Sequence, residues 1–131
     1  MTTAEHATGA PGGAAGTGEV HLARKVPGAV SAAVRLLAGG RRVVWAEVQD
    51  EVHKGALSSA ASQVLRNAAF MARDKRIPLV LSMASSGADI KEGVSALHGW
   101  GEAARAISDC SGVVPTIAIV DGPAVSGPAL L

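Results

Sequence analysis

From Leu57 to Ala72 the apolar positions recur every three to four residues, at Leu57, Ala60, Ala61, Val64, Leu65, Ala68, Met71 and Ala72. Ser58, Ser59, Ser62, Gln63 and Arg66 fall opposite them. That spacing predicts an amphipathic helix. On either side the rhythm changes to short apolar runs of strand length. Arg42–Val48, with Val43, Val44, Trp45, Ala46 and Val48, predicts one strand. Ile77–Met83 predicts a second, apolar throughout and so buried on both faces, with Pro78 at its start where a missing N–H matters least. Val113–Val120 predicts a third, ended by Asp121-Gly122-Pro123, and the three are expected to form one buried parallel sheet with Leu81 and Ile117 inside it. A second helix is expected over about Glu92–Ser108, with Val94, Leu97, Ala104 and Ile107 on its packing face, and another is expected to start near Ser126–Pro128. Upstream, Val26–Leu37 reads as a short helix with Pro27 near its start and Gly39-Gly40 as its stop. Residues 1–19, rich in Gly, Ala, Thr and Pro, are expected to form a flexible tail.

Strands alternating with helices through short loops predict an α/β fold with a parallel sheet and flanking helices. At 131 residues the chain holds one domain at most. Its last residue, Leu131, falls where a helix begins, so residues 20–131 are read as the front portion of a longer domain. In sheets of this kind ligands bind beyond the carboxyl ends of the strands.

Composition narrows the chemistry. The chain is 48% hydrophobic but only 2% aromatic, so its core is Val, Leu, Ile and Ala at close approach. A net charge of +1 with scattered basic residues gives no case for nucleic acid or a membrane surface. Cys110 is the single cysteine, which excludes an intramolecular disulfide and makes a reducing cytoplasm the expected home. No signal peptide is recognised, and no apolar run approaches the roughly 20 residues that span a bilayer. His6, His21 and His53 lack metal-ligand spacing, so no metal site is expected. His98 reads as a half-exposed histidine and Cys110 as a small buried hydrophobe. Lys91-Glu92 and the Arg73, Lys75, Arg76 cluster read as solvated faces.

The candidate chemistry lies in two stretches. Ser85-Ser86-Gly87-Ala88-Asp89-Ile90-Lys91-Glu92-Gly93 and Val114–Gly127 each combine a strand, a loop of small residues and a helix start. This arrangement aims backbone N–H groups at one spot, where they can hold a developing oxyanion. Either loop alone is an ordinary strand-to-helix turn. Two in series, at the ends of neighbouring strands, point to thioester enolate chemistry.

From Ser85 to Leu131 the sequence resembles the carboxyltransferase (beta) subunit of biotin-dependent acyl-CoA carboxylases, which handle acetyl-CoA and propionyl-CoA and have the crotonase-like fold. That family shows Asp-Ser-Gly-Gly-Ala-Arg-Ile-Gln-Glu-Gly, then Ala-Leu-x-x-Tyr-Gly-Glu, Ser-Gly-Val-Val/Ile-Pro-x-Ile and Gly-Pro-x-x-Gly-Gly. This chain has Ser85–Gly93, then Ala96-Leu97-His98-Gly99-Trp100-Gly101-Glu102, Ser111-Gly112-Val113-Val114-Pro115-Thr116-Ile117 and Gly122-Pro123-Ala124-Val125-Ser126-Gly127. Gln49-Asp50 and Gly55 resemble the family's upstream loop more loosely. Ser126 stands where the family has Gly, Pro128 follows, and Asp89, Ser86 and Ala84 replace Arg, Gly and Asp.

The resemblance implies transfer of CO2 from carboxybiotin, carried by a biotin carboxyl carrier or biotin carboxylase subunit, to the α-carbon of an acyl-CoA within an oligomer. Active sites in the family lie between two subunits, so this length holds at most half of one. Gly87, Ala88, Ser126 and Gly127 are the implied catalytic positions, and Gly55 and Gly122 the implied ligand-binding ones. The N–H groups of Ala88 and Gly127 are expected to face a shared cavity, with glycine at 127 because a Cβ there projects toward the ligand oxygen. Two alternatives remain open. Gly87-Ala88-Asp89-Ile90-Lys91-Glu92 also resembles a run in enoyl-CoA hydratases, although Leu130 stands where those carry a catalytic Glu. A non-catalytic subunit that binds CoA or scaffolds a partner is the other, and Ser126, Pro128 and Asp89 favour it.

Overall fold

The computed structural model describes residues 19–21 and 29–130. The expected tail therefore lies outside the described residues up to position 18, while Glu19 begins a strand. Five strands form the main sheet: β1 (Glu19–His21), β2 (Val30–Leu36), β3 (Arg42–Val48), β5 (Leu79–Ser85) and β7 (Thr116–Ala124), in the order β1-β2-β3-β5-β7. The pairs β3–β5 and β5–β7 are parallel, as expected, and β1–β2 and β2–β3 are antiparallel. A second pair, β4 (Ala56–Leu57) with β6 (Gly87–Ala88), is also parallel. Helices α1 (Ser59–Lys75) and α2 (Val94–Ser108) complete the fold.

The helix expected over Val26–Leu37 is instead strand β2 across its described part. Its alanines suit a helix in isolation, but Gly39 and Gly40, at φ +87 and +78, turn the chain back on itself. Val30 then pairs with Val48 and Leu36 with Arg42 in a continuous antiparallel ladder. Ladder bonds to β3 outweigh a helix propensity worth only tenths of a kcal/mol per residue. On the outer face of this hairpin Arg35 lies 4.5 Å over the Trp45 ring and 3.5 Å from Glu47.

The core sits between the sheet and α1. Val44, Ala46, Val48, Leu79, Leu81 and Met83 turn one face toward Ala61, Leu65, Ala68 and Ala72. Ser58 caps α1 by accepting the Ala61 N–H at 3.0 Å, and Arg76 ends the helix in the left-handed conformation. Leu57 belongs to β4 rather than to the helix, though it is fully buried.

Helix α2 packs on α1 through Ala96, Ala103, Ala106 and Ile107, not through the expected Val94 and Leu97, which are 80% and 60% exposed. The reason is close approach. A Cβ on Gly99 would stand 3.2 Å from the Ser59 Cα, so only small residues fit the seam. Cys110 is buried there and donates to the Ala69 carbonyl at 3.4 Å. Burial raises its thiol pKa, with Arg73 opposing and Asp109 adding to the shift. Arg66 and Glu102 join the two helices at the surface, 2.6 Å apart.

β7 departs from expectation twice. It runs on through Asp121-Gly122-Pro123 to Ala124, its register against β5 slipping between Met83 and Ser85. The extra β7 residues are taken up as a bulge, so the proline needs no place in a regular ladder. β7 is also the edge of the sheet and is exposed along Thr116–Pro123, so the burial expected of Ile117 is not found. Among the described residues no helix is long and apolar enough to cross a membrane.

Candidate functional site

The two small-residue loops follow the carboxyl ends of adjacent parallel strands, β5 and β7, and they touch. The Val125 N–H donates to the Ser85 carbonyl at 3.2 Å. Gly87, at φ +100, faces the other loop so closely that a Cβ would lie 3.3 Å from the Val125 carbonyl oxygen and 3.4 Å from the Ser126 Cβ. Glycine is thus required at 87 by conformation and by space together.

Ser85 holds this arrangement from below. Fully buried, its hydroxyl donates to the Gly55 carbonyl at 2.6 Å and accepts the Gly87 N–H at 3.1 Å. The Ser86 N–H donates to the Lys54 carbonyl at 3.1 Å. Gly55 ends a tight turn in which His53, Lys54 and Gly55 are all left-handed, and its missing Cβ leaves room for the Ala84 carbonyl. Gly122 has a comparable role, since a Cβ there would come within 2.9 Å of the Ala84 Cβ. Gly55 and Gly122 therefore pack against opposite sides of the end of β5.

The Asp89 N–H donates to the Leu57 carbonyl at 2.9 Å across the β4–β6 pair. Successive backbone donors of an extended segment alternate sides, so the Ala88 N–H is turned away from β4. Asp89 makes a local turn by accepting the Lys91 N–H at 2.9 Å. Glu92, read from the sequence as a solvated face, accepts the Ser59 N–H at 2.7 Å and so ties the loop to the start of α1.

Ser126 is left-handed, at φ +63, where the family motif has glycine. Gly127 begins a 3-10 turn, Gly127–Leu130, in which Pro128 is buried. The space beside the Gly127 Cα is filled by Trp100 of α2: an added Cβ would fall on the indole Nε1 and Cε2. The direction expected to face a ligand oxygen faces a side chain instead. His98 is mainly exposed, 3.8 Å from Glu102. Among the described residues no group of three or more His, Cys, Asp or Glu side chains is placed to hold a metal.

Residues 22–131 match the family described as the carboxyl transferase domain. The chain belongs to the carboxyl transferase domain family. Over 87 residues it is 37% identical to the propionyl-CoA carboxylase beta chain of Roseobacter denitrificans, covering 66% of this chain and 17% of that protein. Over the same length it is 40% identical to the methylmalonyl-CoA decarboxylase subunit alpha of Propionigenium modestum, with the same coverages. The chain thus spans about a sixth of the curated relatives it matches. In three dimensions it is similar to the transcarboxylase 12S structure solved as a hexamer with methylmalonyl-coenzyme A and methylmalonic acid bound. The TM-score is 0.78 and the identity 28%, over 87% of this chain and 25% of that one. The crotonase-like fold expected from the sequence is the fold of this carboxyl transferase domain.

Reading the sequence missed three contributors. Ser85 was part of a motif without a role, although a polar residue inside an apolar strand end is a signal for a buried hydrogen bond. Glu92 is distant in sequence from the helix it caps. Trp100, one of only two tryptophans, stands at the motif's aromatic position, but nothing local shows that Gly127 packs on it.

Proposed function

We propose that this carboxyl transferase domain supplies the acyl-CoA half of a carboxyltransferase site, in which CO2 passes from carboxybiotin to the α-carbon of a short acyl-CoA. The observation that carries the reading is the contact between the Gly87-Ala88 and Val125-Ser126-Gly127 loops at the ends of β5 and β7. Such a pair of loops offers backbone donors and no bulky side chain, which suits a thioester oxygen that gains charge as the α-carbon becomes nucleophilic. Ala88 donates its N–H to that oxygen. Gly87 lets the strand end approach the ligand, and the Ser85 hydroxyl keeps both from shifting. Carboxybiotin, brought by a partner carrier protein, supplies the activated CO2. The relatives named for propionyl-CoA and methylmalonyl-CoA support short acyl chains as the substrate class, in an oligomer that completes the site.

A backbone oxyanion site needs no ionised side chain, in keeping with a site lined by Gly, Ala and Ser. The test mixes the chain, together with a carboxyltransferase domain that supplies the other half of the site, with propionyl-CoA, ATP, labelled bicarbonate and a biotin carboxylase–carrier preparation. Acid-stable label on the acyl-CoA is expected. Hydration of crotonyl-CoA without label transfer would favour the hydratase alternative. Saturable propionyl-CoA binding with neither reaction would favour the non-catalytic subunit, a reading supported by a left-handed Ser126 where the family has glycine.

A further inference from the structure

We propose that Trp100 is a positioning residue, an indole wall that seats the Val125–Gly127 loop against Gly87 and thereby sets the gap in which the thioester oxygen is held. The proposal rests on the carboxyltransferase reading. Its basis is that the loop is clamped from two sides. On one side Val125 and Ser126 lie against Gly87, and the Val125 N–H is bonded to Ser85. On the other side Gly127 is flush with the indole, so that an added Cβ would overlap Nε1 and Cε2 and lie 2.8 Å from Cδ1.

The wall is itself fixed. Trp100 is half-buried and packs against the main core, one residue after Gly99, where α2 presses on Ser59 of α1. Ser59 in turn is bonded to Glu92. The seam between the helices thus locates the indole, the indole locates Gly127, and Gly127 carries Ser126 into its left-handed conformation beside Gly87. A non-glycine residue at φ +63 persists only where its surroundings hold it there. Gly127 is glycine because of the tryptophan, and the glycine-to-indole fit transmits the position of α2 to the site.

The experiment is a size-swap cycle read by titration with propionyl-CoA and by thermal unfolding. Gly127→Ala is expected to weaken binding about tenfold, and Trp100→Leu by a similar factor with little change in the transition temperature, a size common for touching residues. In the Trp100→Leu background, Gly127→Ala should cost no further affinity, because the Cβ enters the space the indole has left. Equal and additive losses in both backgrounds would overturn the proposal, since the glycine would then be reserved for the ligand. Should Gly127→Ala fail to fold, Trp100→Phe decides: near-unchanged affinity beside the loss in Trp100→Leu supports the aromatic wall, and equal losses overturn it. Failure of the unmodified chain to bind propionyl-CoA overturns the functional reading and this proposal together, whereas binding with additive penalties overturns this one alone.

Discussion

The two flanks of β5 are built on opposite terms. Toward β3 and α1 lie fully buried Leu79, Leu81 and Met83, regular ladders and an interior without charge. Toward β7 lie an exposed edge strand, a slipped register and the left-handed residues at 87 and 126. The first flank supplies stability through apolar burial. The second spends part of that stability on holding backbone close to backbone at the proposed site. A fold that keeps strain on one side of a rigid strand can carry a site without loosening its core.

The sharpest way to break this comparison is to place the same charge on both flanks. Leu81→Asp buries a carboxylate at a position with no exposure and should cost more than about 3 kcal/mol, or prevent folding altogether. Ile117→Asp, one residue back along β7 from the Ala118 that pairs with Leu81, is 52% exposed and should cost about 1 kcal/mol or less. Denaturant titration measures both. Equal losses would mean that β7 is not an open edge.

The next test separates conformation from space. Gly55→Ala meets the Ala84 carbonyl as well as an unfavourable φ, and should cost about 3 kcal/mol from the two effects combined. Gly39→Ala has a similar φ with nothing within 4 Å, so only the conformational part, about 1 kcal/mol, should appear. If the two variants melt together, the close packing of the 53–55 turn on β5 carries no weight.

Ser85→Ala probes the hinge between the flanks. It strips a donor from the Gly55 carbonyl and an acceptor from the Gly87 N–H, both buried, and should cost about 1–3 kcal/mol. Hydrogen exchange should show the loss concentrated at 53–57 and 86–89, with the α1 amides unchanged. Faster exchange throughout α1 would show that the flanks are one cooperative unit.

The same division decides what could be read in the sequence. α1 and β3, β5 are legible because period and burial coincide there: Leu65 and Ala68 fall on one face, and Leu79–Met83 is a continuous apolar run. The β2 hairpin was not, since Ala32, Ala33 and Val34 carry no period and only the Gly39-Gly40 turn and the β3 ladder decide between helix and strand. The packing face of α2 was misread because hydrophobicity favours Val94 and Leu97, while close approach at Gly99 favours alanine. At the site, the glycines were visible as a motif. What each glycine packs against, Ala84 for Gly55 and Trp100 for Gly127, depends on residues tens of positions away.

The smallest expected effect is at Ser126, and it refines the comparison most. Its left-handed conformation costs a residue with a Cβ about 1–2 kcal/mol. Ser126→Gly removes that cost but gives the unfolded chain extra freedom, worth about 0.4–1 kcal/mol in the opposite direction. The net change in stability should therefore be within about 1 kcal/mol and favourable, while acyl-CoA affinity is preserved or raised as the side chain is removed from the loop. Ser126→Ala is the control, since it keeps the Cβ and the strain but removes the hydroxyl. If Ser126→Gly weakens binding while Ser126→Ala does not, the Cβ is a needed spacer between the loops and the strain is part of how the gap is set. If both weaken it equally, the hydroxyl itself meets the ligand, and the site has a polar side chain beyond its backbone donors.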